Sequence, residues 1–344
     1  MSLNITLQPS GRSFEAARDE TVLAAAIRQG VGLPYGCRDG ACGSCKSRLL
    51  SGRVIHGAHQ QKALSTAEED SGLVLTCCAV AQTDCDIEAR SVPGLGELPI
   101  LKMPTRVLSM HRPAPDVVVL RLQLPATQNF LYRAGQYVEF ILRDGARRSY
   151  SMANAPSQLG DPPSIELHIR HMPGGAFTDH VFGAMKERDI LRLEGPYGSF
   201  FLREGDQPLV LLASGTGLAP VKALIEQMQA KGVDRPATLY WGCRSLADLY
   251  QHDWALAAAS RLPWLRYVPV LSEPKAGDGW TGRVGLVHQA VLADLPDLSG
   301  HQVYACGAPI MVDSAQHDFQ SLAGLPAEAF FADAFTSEAD KLGD

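Results

Sequence analysis

Three of the eight cysteines stand in one short run. Cys37, Cys42 and Cys45 follow a C-x4-C-x2-C spacing, and a fourth thiol, Cys77 or its neighbour Cys78, follows further along the chain. This is the spacing of four thiolates that hold a [2Fe–2S] cluster. Gly40, Ala41, Gly43 and Ser44 stand next to the second and third thiols, and small residues let the backbone approach an inorganic core. The pattern therefore predicts an iron–sulfur centre.

Two other uses of these thiols are less consistent with the pattern. A structural zinc site normally shows paired C-x2-C knuckles, which this run lacks. Disulfides require a secreted context, and residues 1–8 lack the basic and apolar regions of a signal peptide. We therefore expect a cytoplasmic protein with reduced thiols.

Two further motifs lie in the middle of the chain. Residues 148–151 read Arg-Ser-Tyr-Ser at the end of a predicted strand, and residues 174–178 read Gly-Gly-Ala-Phe-Thr. Two glycines before a helix that is capped by Thr178 would leave backbone N–H groups free for a pyrophosphate. A surface arginine beside a strand tyrosine is the simpler explanation of the first motif alone.

A glycine loop follows the apolar run at residues 208–213. Gly215 and Gly217 would let the backbone approach a phosphate, and Pro220 suits the first turn of the helix that follows. Arg244 and Ser245 follow the next predicted strand, where the ribose of a nucleotide would lie. A basic residue there can pair with a 2′-phosphate, so Arg244 permits NADPH.

The composition is that of an ordinary globular protein of two or three domains. The chain has 344 residues, of which 46% are hydrophobic and 20% charged. The net charge of -6 argues against a nucleic-acid partner. No apolar run is long enough to predict a membrane span.

The hydrophobic periodicity divides the chain into three domains. Residues 1–92 combine a hairpin and a short helix with the cysteine run, and residues 93–103 are a linker rich in proline and glycine. Residues 104–205 show short alternating strands typical of a barrel. In residues 206–344 strands alternate with helices, which indicates a parallel α/β sheet.

Together these motifs resemble the ferredoxin–NADP reductase superfamily, in the type that carries an N-terminal ferredoxin. The resemblance implies a multidomain α+β and α/β protein. It would contain a plant-type ferredoxin β-grasp domain, an antiparallel β-barrel flavin domain and a parallel α/β nucleotide-binding domain. It also favours Cys77 as the fourth ligand, because the last ligand of this fold follows a strand and precedes an acidic residue that Asp84 matches.

The same resemblance implies roles for individual residues. Ser151 would hydrogen-bond near the flavin N5, Cys306 would lie beside the nicotinamide C4, and Phe335 would lie near the flavin as the final aromatic residue. Arg148 would pair with the flavin phosphate, and Tyr150 would pack on the isoalloxazine. The residues expected to bind FAD or the nucleotide are Arg148, Tyr150, Ser151, His168, Arg170, Gly174, Gly175, Thr178, Gly215, Thr216, Gly217, Pro220, Arg244, Ser245, Cys306 and Gly307.

The domain order is that of the reductase components of aromatic-ring oxygenases and of the CDP-6-deoxy-Δ3,4-glucoseen reductases. The expected activity is electron transfer from NADH, or alternatively NADPH, through FAD and a [2Fe–2S] cluster to a transiently bound protein acceptor. A terminal oxygenase is the first expectation, and a deoxysugar dehydratase is the alternative. A cluster-binding redox sensor is a third hypothesis, but it would not need the flavin and nucleotide motifs.

Overall fold

The computed structural model describes residues 2–90 and 92–336, which form two compact units. One unit extends to Pro99, and the other spans Ile100–Phe335. Among the described residues, none of the helices has the length and apolar character that crossing a membrane requires.

The first unit is built on a five-stranded mixed sheet in the order β2-β1-β7-β3-β5, with a small β4-β6 pair beside it. The predicted hairpin and the helix after it are confirmed, and Ile5 and Leu7 of the hairpin are buried in the core. Its elements are β1 (Leu3–Gln8), β2 (Arg12–Ala16), α1 (Val22–Arg28), β3 (Lys46–Ser51), β4 (Val54–His56), α2 (Thr66–Asp70), β5 (Leu73–Leu75), β6 (Ala79–Ala81) and β7 (Cys85–Glu88).

The segment predicted as a linker is ordered at both ends. Val92 and Leu95 are buried in the first unit, where a Cβ on Gly32 would lie 2.4 Å from the Val92 carbonyl oxygen. At the other end a strand already begins at Leu101. The prolines in this segment argued against a strand in the sequence. Pro104 is tolerated because, at this position, β8 pairs with β13 but not yet with β9.

The second unit begins with a six-stranded antiparallel sheet in the order β11-β10-β13-β8-β9-β12. The short strands predicted for residues 104–205 are confirmed, whereas no pattern in the sequence pointed to β13. The elements are β8 (Leu101–Ala114), β9 (Val117–Gln123), β10 (Tyr137–Ile141), β11 (Arg147–Ser151), β12 (Ser164–Arg170), α3 (Ala176–Gly183) and β13 (Ile190–Tyr197).

A second six-stranded sheet follows in the same unit, entirely parallel and in the order β17-β16-β15-β14-β18-β19. The prediction of a parallel α/β sheet is confirmed. The elements are β14 (Leu209–Ser214), α4 (Leu218–Lys231), β15 (Ala237–Cys243), α5 (His252–Arg261), β16 (Leu265–Leu271), β17 (Arg283–Val284), α6 (Val287–Asp294), β18 (Gln302–Gly307), α7 (Pro309–Ala323) and β19 (Phe330–Ala334).

Strand β14 is the switch point of the parallel sheet. β15 pairs with it on one side and β18 on the other, so the loops after β14 and β18 diverge at the carboxyl edge. Open parallel sheets bind nucleotides in the crevice that such a divergence creates. Between β15 and β16 the chain forms a short helical turn at Leu246–Asp248 and then α5.

Candidate functional site

The four predicted ligand thiols converge in two pairs. The N–H groups of Cys37 and Cys42 each donate to the other residue's Sγ, over 3.4 and 3.3 Å. The Sγ atoms of Cys45 and Cys77 lie 3.2 Å apart. All four thiols are free rather than disulfide-bonded. The long loop that carries Cys37, Cys42 and Cys45 and the segment after β5 that carries Cys77 thus bring these thiols together.

Cys78 occupies a different position from Cys77. Its Sγ lies 3.5 Å from the carbonyl oxygen of Ala58 and 3.6 Å from the Cys77 Sγ. A Cβ on Gly40 would lie 2.7 Å from the Cys78 Sγ, so this thiol packs beneath the cluster loop. The geometry is consistent with Cys77 as the fourth ligand and Cys78 as a packed neighbour.

The paired arrangement fits a two-iron cluster. Within the described residues, no three His, Cys, Asp or Glu side chains gather around a point where one metal ion could sit. A [2Fe–2S] cluster takes two thiolates on each iron, so it requires two pairs rather than one group of three or four. Two sulfurs on one tetrahedral metal lie about 3.8 Å apart, and the Cys45–Cys77 pair at 3.2 Å is close to that spacing.

Strand β11 presents the Arg-Ser-Tyr-Ser motif at the edge of the antiparallel sheet. Tyr150 packs against Phe177 of α3, with ring centroids 5.3 Å apart, and against Phe140, at 5.8 Å. Burial raises the pKa of the Tyr150 phenol, so it stays neutral. Arg148 is half-buried two residues before Tyr150 on the same strand, and its Nη1 donates to the Arg147 carbonyl oxygen. A planar aromatic ring and a cation on one edge strand suit a flavin and its phosphate.

The capping role predicted for Thr178 is wrong. Gly175 is the N-cap of α3, and Thr178 lies in the first turn, where its hydroxyl donates to the Met172 carbonyl oxygen over 2.8 Å. The glycine N–H groups are not free either, because that of Gly174 donates to Asp179 and that of Gly175 to Met172. The amides without intrahelical acceptors belong instead to the first turn of α3, where they could face a phosphate.

Ser151 meets the last strand of the parallel sheet. Its Oγ donates to the Asp333 Oδ2 over 3.3 Å, and both residues are buried. Asp333 pairs in register with Cys306 across β18 and β19. The hydroxyl, the carboxylate and the thiol therefore converge where the two sheets of the second unit meet. Sequence reasoning missed Asp333, although its place in a Phe-x-Asp-x-Phe pattern opposite Cys306 was a usable signal.

The glycine loop after β14 packs directly against the end of β18. A Cβ on Gly217 would lie 2.1 Å from the Cys306 carbonyl oxygen, and one on Gly307 would lie 2.2 Å from the Ser214 Oγ. The Ala308 N–H donates to the same Oγ over 2.9 Å. Thr216 lies within the short helical turn of the loop, and Pro220 lies in the first turn of α4 as expected. The two motifs thus border one crevice.

Cys306 and Phe335 lie beside this crevice. Cys306 is fully buried, and burial raises the pKa of its thiol well above the ordinary value, so the thiol is neutral. The Phe335 N–H donates to the Gly307 carbonyl oxygen over 2.8 Å, which fixes the aromatic residue next to the Cys306–Gly307 turn. A neutral thiol can position a ligand by contact, but it is a poor nucleophile.

His168 is not placed to bind a cofactor. Its Nδ1 lies 2.8 Å from the Tyr250 hydroxyl and its Nε2 lies 3.1 Å from the Glu166 Oε1, and its side chain is fully buried. Lys222 of α4 adds a contact of 3.2 Å to the same carboxylate. Burial lowers the pKa of His168, while Glu166 opposes that shift. This histidine therefore belongs to a buried polar network that joins the two sheets.

Arg170 lies beside the glycine loop after β14 rather than beside β11. Its Nη1 lies 3.1 Å from the position that a Cβ on Gly215 would take. Its Nε lies 3.4 Å from the Asp116 Oδ2 as an ion pair, and its buried Nη2 has no hydrogen-bond partner among the described residues. An arginine held over a glycine loop in this way suits the diphosphate of a dinucleotide.

Arg244 and Ser245 lie beyond the carboxyl end of β15. Ser245 donates through its N–H and its hydroxyl to the Asp248 Oδ2, each over 3.0 Å, so these groups cap a turn rather than face a ligand. The Arg244 side chain is 63% exposed and lies 3.3 Å from the Asp248 Oδ1. Of these two residues, Arg244 is therefore the one whose side chain a ligand can reach.

Family models match three successive parts of the chain. A 2Fe-2S iron-sulfur cluster binding domain matches residues 5–82, an oxidoreductase FAD-binding domain matches residues 104–202, and an oxidoreductase NAD-binding domain matches residues 211–317. These three ranges contain the cysteine run, the strand motif of β11 and the glycine loop, respectively.

Several relatives match over nearly their whole length. The CDP-6-deoxy-L-threo-D-glycero-4-hexulose-3-dehydrase reductase of Yersinia pseudotuberculosis is 41% identical over 97% of this chain and 99% of its own. The phenol hydroxylase P5 protein of Acinetobacter pittii is 38% identical, over 92% of this chain and 89% of its own. The solved structure of the Amycolatopsis cytochrome P450 reductase GcoB is 32% identical, with a TM-score of 0.80 over 97% of this chain and 99% of its own.

Proposed function

Because the chain belongs to the family of reductases that join a 2Fe-2S cluster binding domain to FAD-binding and NAD-binding domains, we propose roles for its residues within that activity. The enzyme is an oxidoreductase that transfers electrons from NAD(P)H through FAD and a [2Fe–2S] cluster. The observation that carries the residue roles is the convergence of Ser151, Asp333 and Cys306 beside the glycine loop.

The seam between the two sheets of the second unit, where Ser151, Asp333 and Cys306 converge, would position the hydride donor and acceptor. FAD when bound accepts a hydride and can release its electrons singly, which allows a two-electron donor to supply a one-electron centre. Gly215, Gly217 and Arg170 would hold the nucleotide diphosphate, while the first turn of α3 and Arg148 would hold the flavin phosphates. Cys306 and Gly307 would orient the nicotinamide, and Phe335 would close the site next to them.

Ser151 would orient the reacting ring through its hydroxyl, and Asp333 would fix that hydroxyl. The hydroxyl donates to Asp333 over 3.3 Å, so its oxygen lone pairs can accept a hydrogen bond from a ligand. Hydride transfer depends steeply on the distance and angle between two rings, so a single fixed hydroxyl has a large effect.

In the first unit, Cys37, Cys42, Cys45 and Cys77 would ligate the cluster. We also propose that this unit is a β-grasp domain at residues 1–92, and that the antiparallel sheet closes into a flavin barrel at residues 104–205. The nucleotide domain would occupy residues 206–344, of which 337–344 lie outside the described residues. A cytoplasmic location stays a prediction.

The acceptor would be a separate protein that docks transiently near the cluster. Our first candidate is a terminal oxygenase, since the phenol hydroxylase P5 protein is among the relatives. A deoxysugar dehydratase is the second candidate, because the Yersinia pseudotuberculosis dehydrase reductase shares a higher identity of 41%. NADH is the proposed donor.

Acceptor assays test this proposal. Purified protein with bound FAD and cluster should oxidise NADH with ferricyanide and reduce cytochrome c. It should then be paired with a purified phenol hydroxylase oxygenase and with a CDP-hexulose dehydratase, and product formation should be measured in each. Turnover with one partner alone identifies the acceptor class, and absence of any NADH oxidation would contradict the proposed function.

A further inference from the structure

Asp116 lies between two arginines that border the nucleotide crevice. It occupies the turn between β8 and β9 of the antiparallel sheet, and the His171 N–H donates to its carbonyl oxygen over 2.8 Å. Its Oδ2 lies 3.4 Å from the Arg170 Nε and 3.9 Å from the Arg244 Nη2. A carboxylate from the flavin side therefore reaches an arginine on the nucleotide side.

Arg244 stands where the ribose of a bound nucleotide would lie. Ser214 and Gly242 are register partners in β14 and β15, so Arg244 leaves the sheet beside the glycine loop. In sheets of this kind the residue after the second strand contacts the ribose 2′ position. Because the guanidinium is largely exposed, a ligand can reach it.

Two carboxylates already pair with this guanidinium, and one of them, Asp116, is shared with Arg170. Asp248 lies 3.3 Å from it and Asp116 lies 3.9 Å from it. A 2′-phosphate carries a charge of about -2 and would have to enter beside both carboxylates, where like charges repel. A ribose 2′-hydroxyl carries no charge and can donate a hydrogen bond to either carboxylate.

We propose that Asp116 is a specificity-determining residue that disfavours NADPH and so selects NADH. The inference rests on the proposed function and deepens it, since it assigns the nucleotide preference to a residue outside the nucleotide-binding sheet. Asp248 is fixed by its bonds to Ser245 and shapes the turn. Among the described residues the Asp116 carboxylate contacts Arg170 and Arg244 rather than its own turn, so its substitution should leave that turn intact.

The contact of Asp116 with Arg170 has a separate consequence. It holds the Arg170 guanidinium over Gly215, where it would face the diphosphate that NADH and NADPH share. Loss of this contact should change the binding of both nucleotides by the same factor. The ratio of kcat/KM for NADPH to kcat/KM for NADH therefore isolates the effect of Asp116 on Arg244.

The test compares nucleotide preference and binding in Asp116→Asn. The ratio of kcat/KM for NADPH to kcat/KM for NADH, measured with ferricyanide, should rise about fivefold, as expected for a partly exposed charge interaction. Calorimetry should show adenosine 2′,5′-bisphosphate binding about fivefold more tightly relative to 5′-AMP. Asp116→Ser should behave in the same way, which guards against a folding defect in one variant.

Two further variants complete the experiment. Asp234→Asn changes an exposed aspartate between α4 and β15, at the amino edge of the sheet, and should leave the ratio unchanged. In Asp116→Asn combined with Arg244→Ala, the gain should disappear, because it depends on the released guanidinium.

A ratio within twofold of wild type in both Asp116 variants, or a gain that persists without Arg244, would overturn the inference. A wild-type protein that oxidises neither nucleotide would instead contradict the proposed function. The two failures are therefore distinguishable.

Discussion

The cluster loop and the seam between the two sheets of the second unit assemble their functional groups in opposite ways. One loop from Cys37 to Cys45, together with Cys77 shortly after a short strand, carries the four thiols that we propose as cluster ligands. The seam joins residues as distant in sequence as Ser151 and Asp333, which are 182 positions apart. A metal cluster needs all four of its ligands, whereas several separate contacts at the seam each contribute to cofactor binding and orientation. We therefore expect that one substitution among the cluster thiols abolishes the cluster, and that one substitution at the seam only lowers the rate or the affinity.

The largest effect is expected at Cys77. In Cys77→Ser the cluster absorbance and cytochrome c reduction should disappear, because one iron loses a thiolate. Ferricyanide reduction by NADH should persist, since the second unit retains its own core. Cys78→Ser is the matched control and should retain the cluster.

The reverse result, with the cluster lost in Cys78→Ser and kept in Cys77→Ser, would show that the fourth ligand is Cys78. Loss of ferricyanide reduction in Cys77→Ser would mean that the cluster also stabilises the rest of the protein.

A smaller effect is expected at Asp333. Asp333→Asn should lower the rate of flavin reduction by NADH about a hundredfold, because Ser151 loses its fixed orientation. The KM for NADH should change little, which distinguishes misorientation from lost binding. Stopped-flow absorbance of the flavin measures the step directly. A rate within threefold of wild type would remove Asp333 from the site.

The buried network at Glu166 should make the second unit sensitive to acid. Burial alone would raise the pKa of Glu166, but His168 and the charge of Lys222 hold it at about 2. Because the folded pKa lies below the unfolded value of 4.5, this stabilisation is complete above about pH 5 and is lost as the pH falls toward 2.

Glu166→Gln should therefore flatten the fall in melting temperature between pH 5 and pH 3, with a loss of about 2 kcal/mol near neutral pH. Glu204→Gln, at an exposed position, is the control. An unchanged pH profile in Glu166→Gln would show that the ionised Glu166 is not the source of the acid sensitivity.

The smallest effect is expected at Arg148, and it has a matched neighbour. Arg148→Ala should weaken FAD binding about tenfold through loss of one charge-assisted contact to phosphate. Arg147 pairs with Glu139 and Glu194 over 2.8 and 2.9 Å, so Arg147→Ala should lower the melting temperature and leave flavin affinity unchanged. Equilibrium dialysis of FAD checks both. Equal flavin affinities in the two variants would reject the assignment of Arg148.

The sequence predicted the parts of the molecule that depend on local patterns. The spacing of Cys37, Cys42 and Cys45 identified the cluster loop, and apolar runs such as residues 208–213 located the parallel strands. Each of these two patterns lies within a few residues of the loop or strand that it predicts. The prolines at the end of the predicted linker concealed the beginning of β8, because composition does not reveal which side of a strand is paired.

Contacts between distant segments could not be predicted in this way. The burial of His168 against Tyr250, the pairing of Asp116 with Arg244 and the contact of Ser151 with Asp333 all depend on how two sheets pack. Nor could the sequence show that the Gly174 and Gly175 N–H groups are already bonded within their turn. The residue types at these positions indicated possible chemistry, but the sequence did not show which residues they contact.

An anaerobic titration of the purified protein with NADH tests the central claim most directly. The absorption of the flavin and that of the iron–sulfur cluster are followed together while the nucleotide is added. The account predicts that both bleach and that the protein takes up about three electrons per chain, two for FAD and one for the cluster. Bleaching of the flavin alone, or of the cluster only when dithionite is added, would contradict electron transfer from NADH to the cluster.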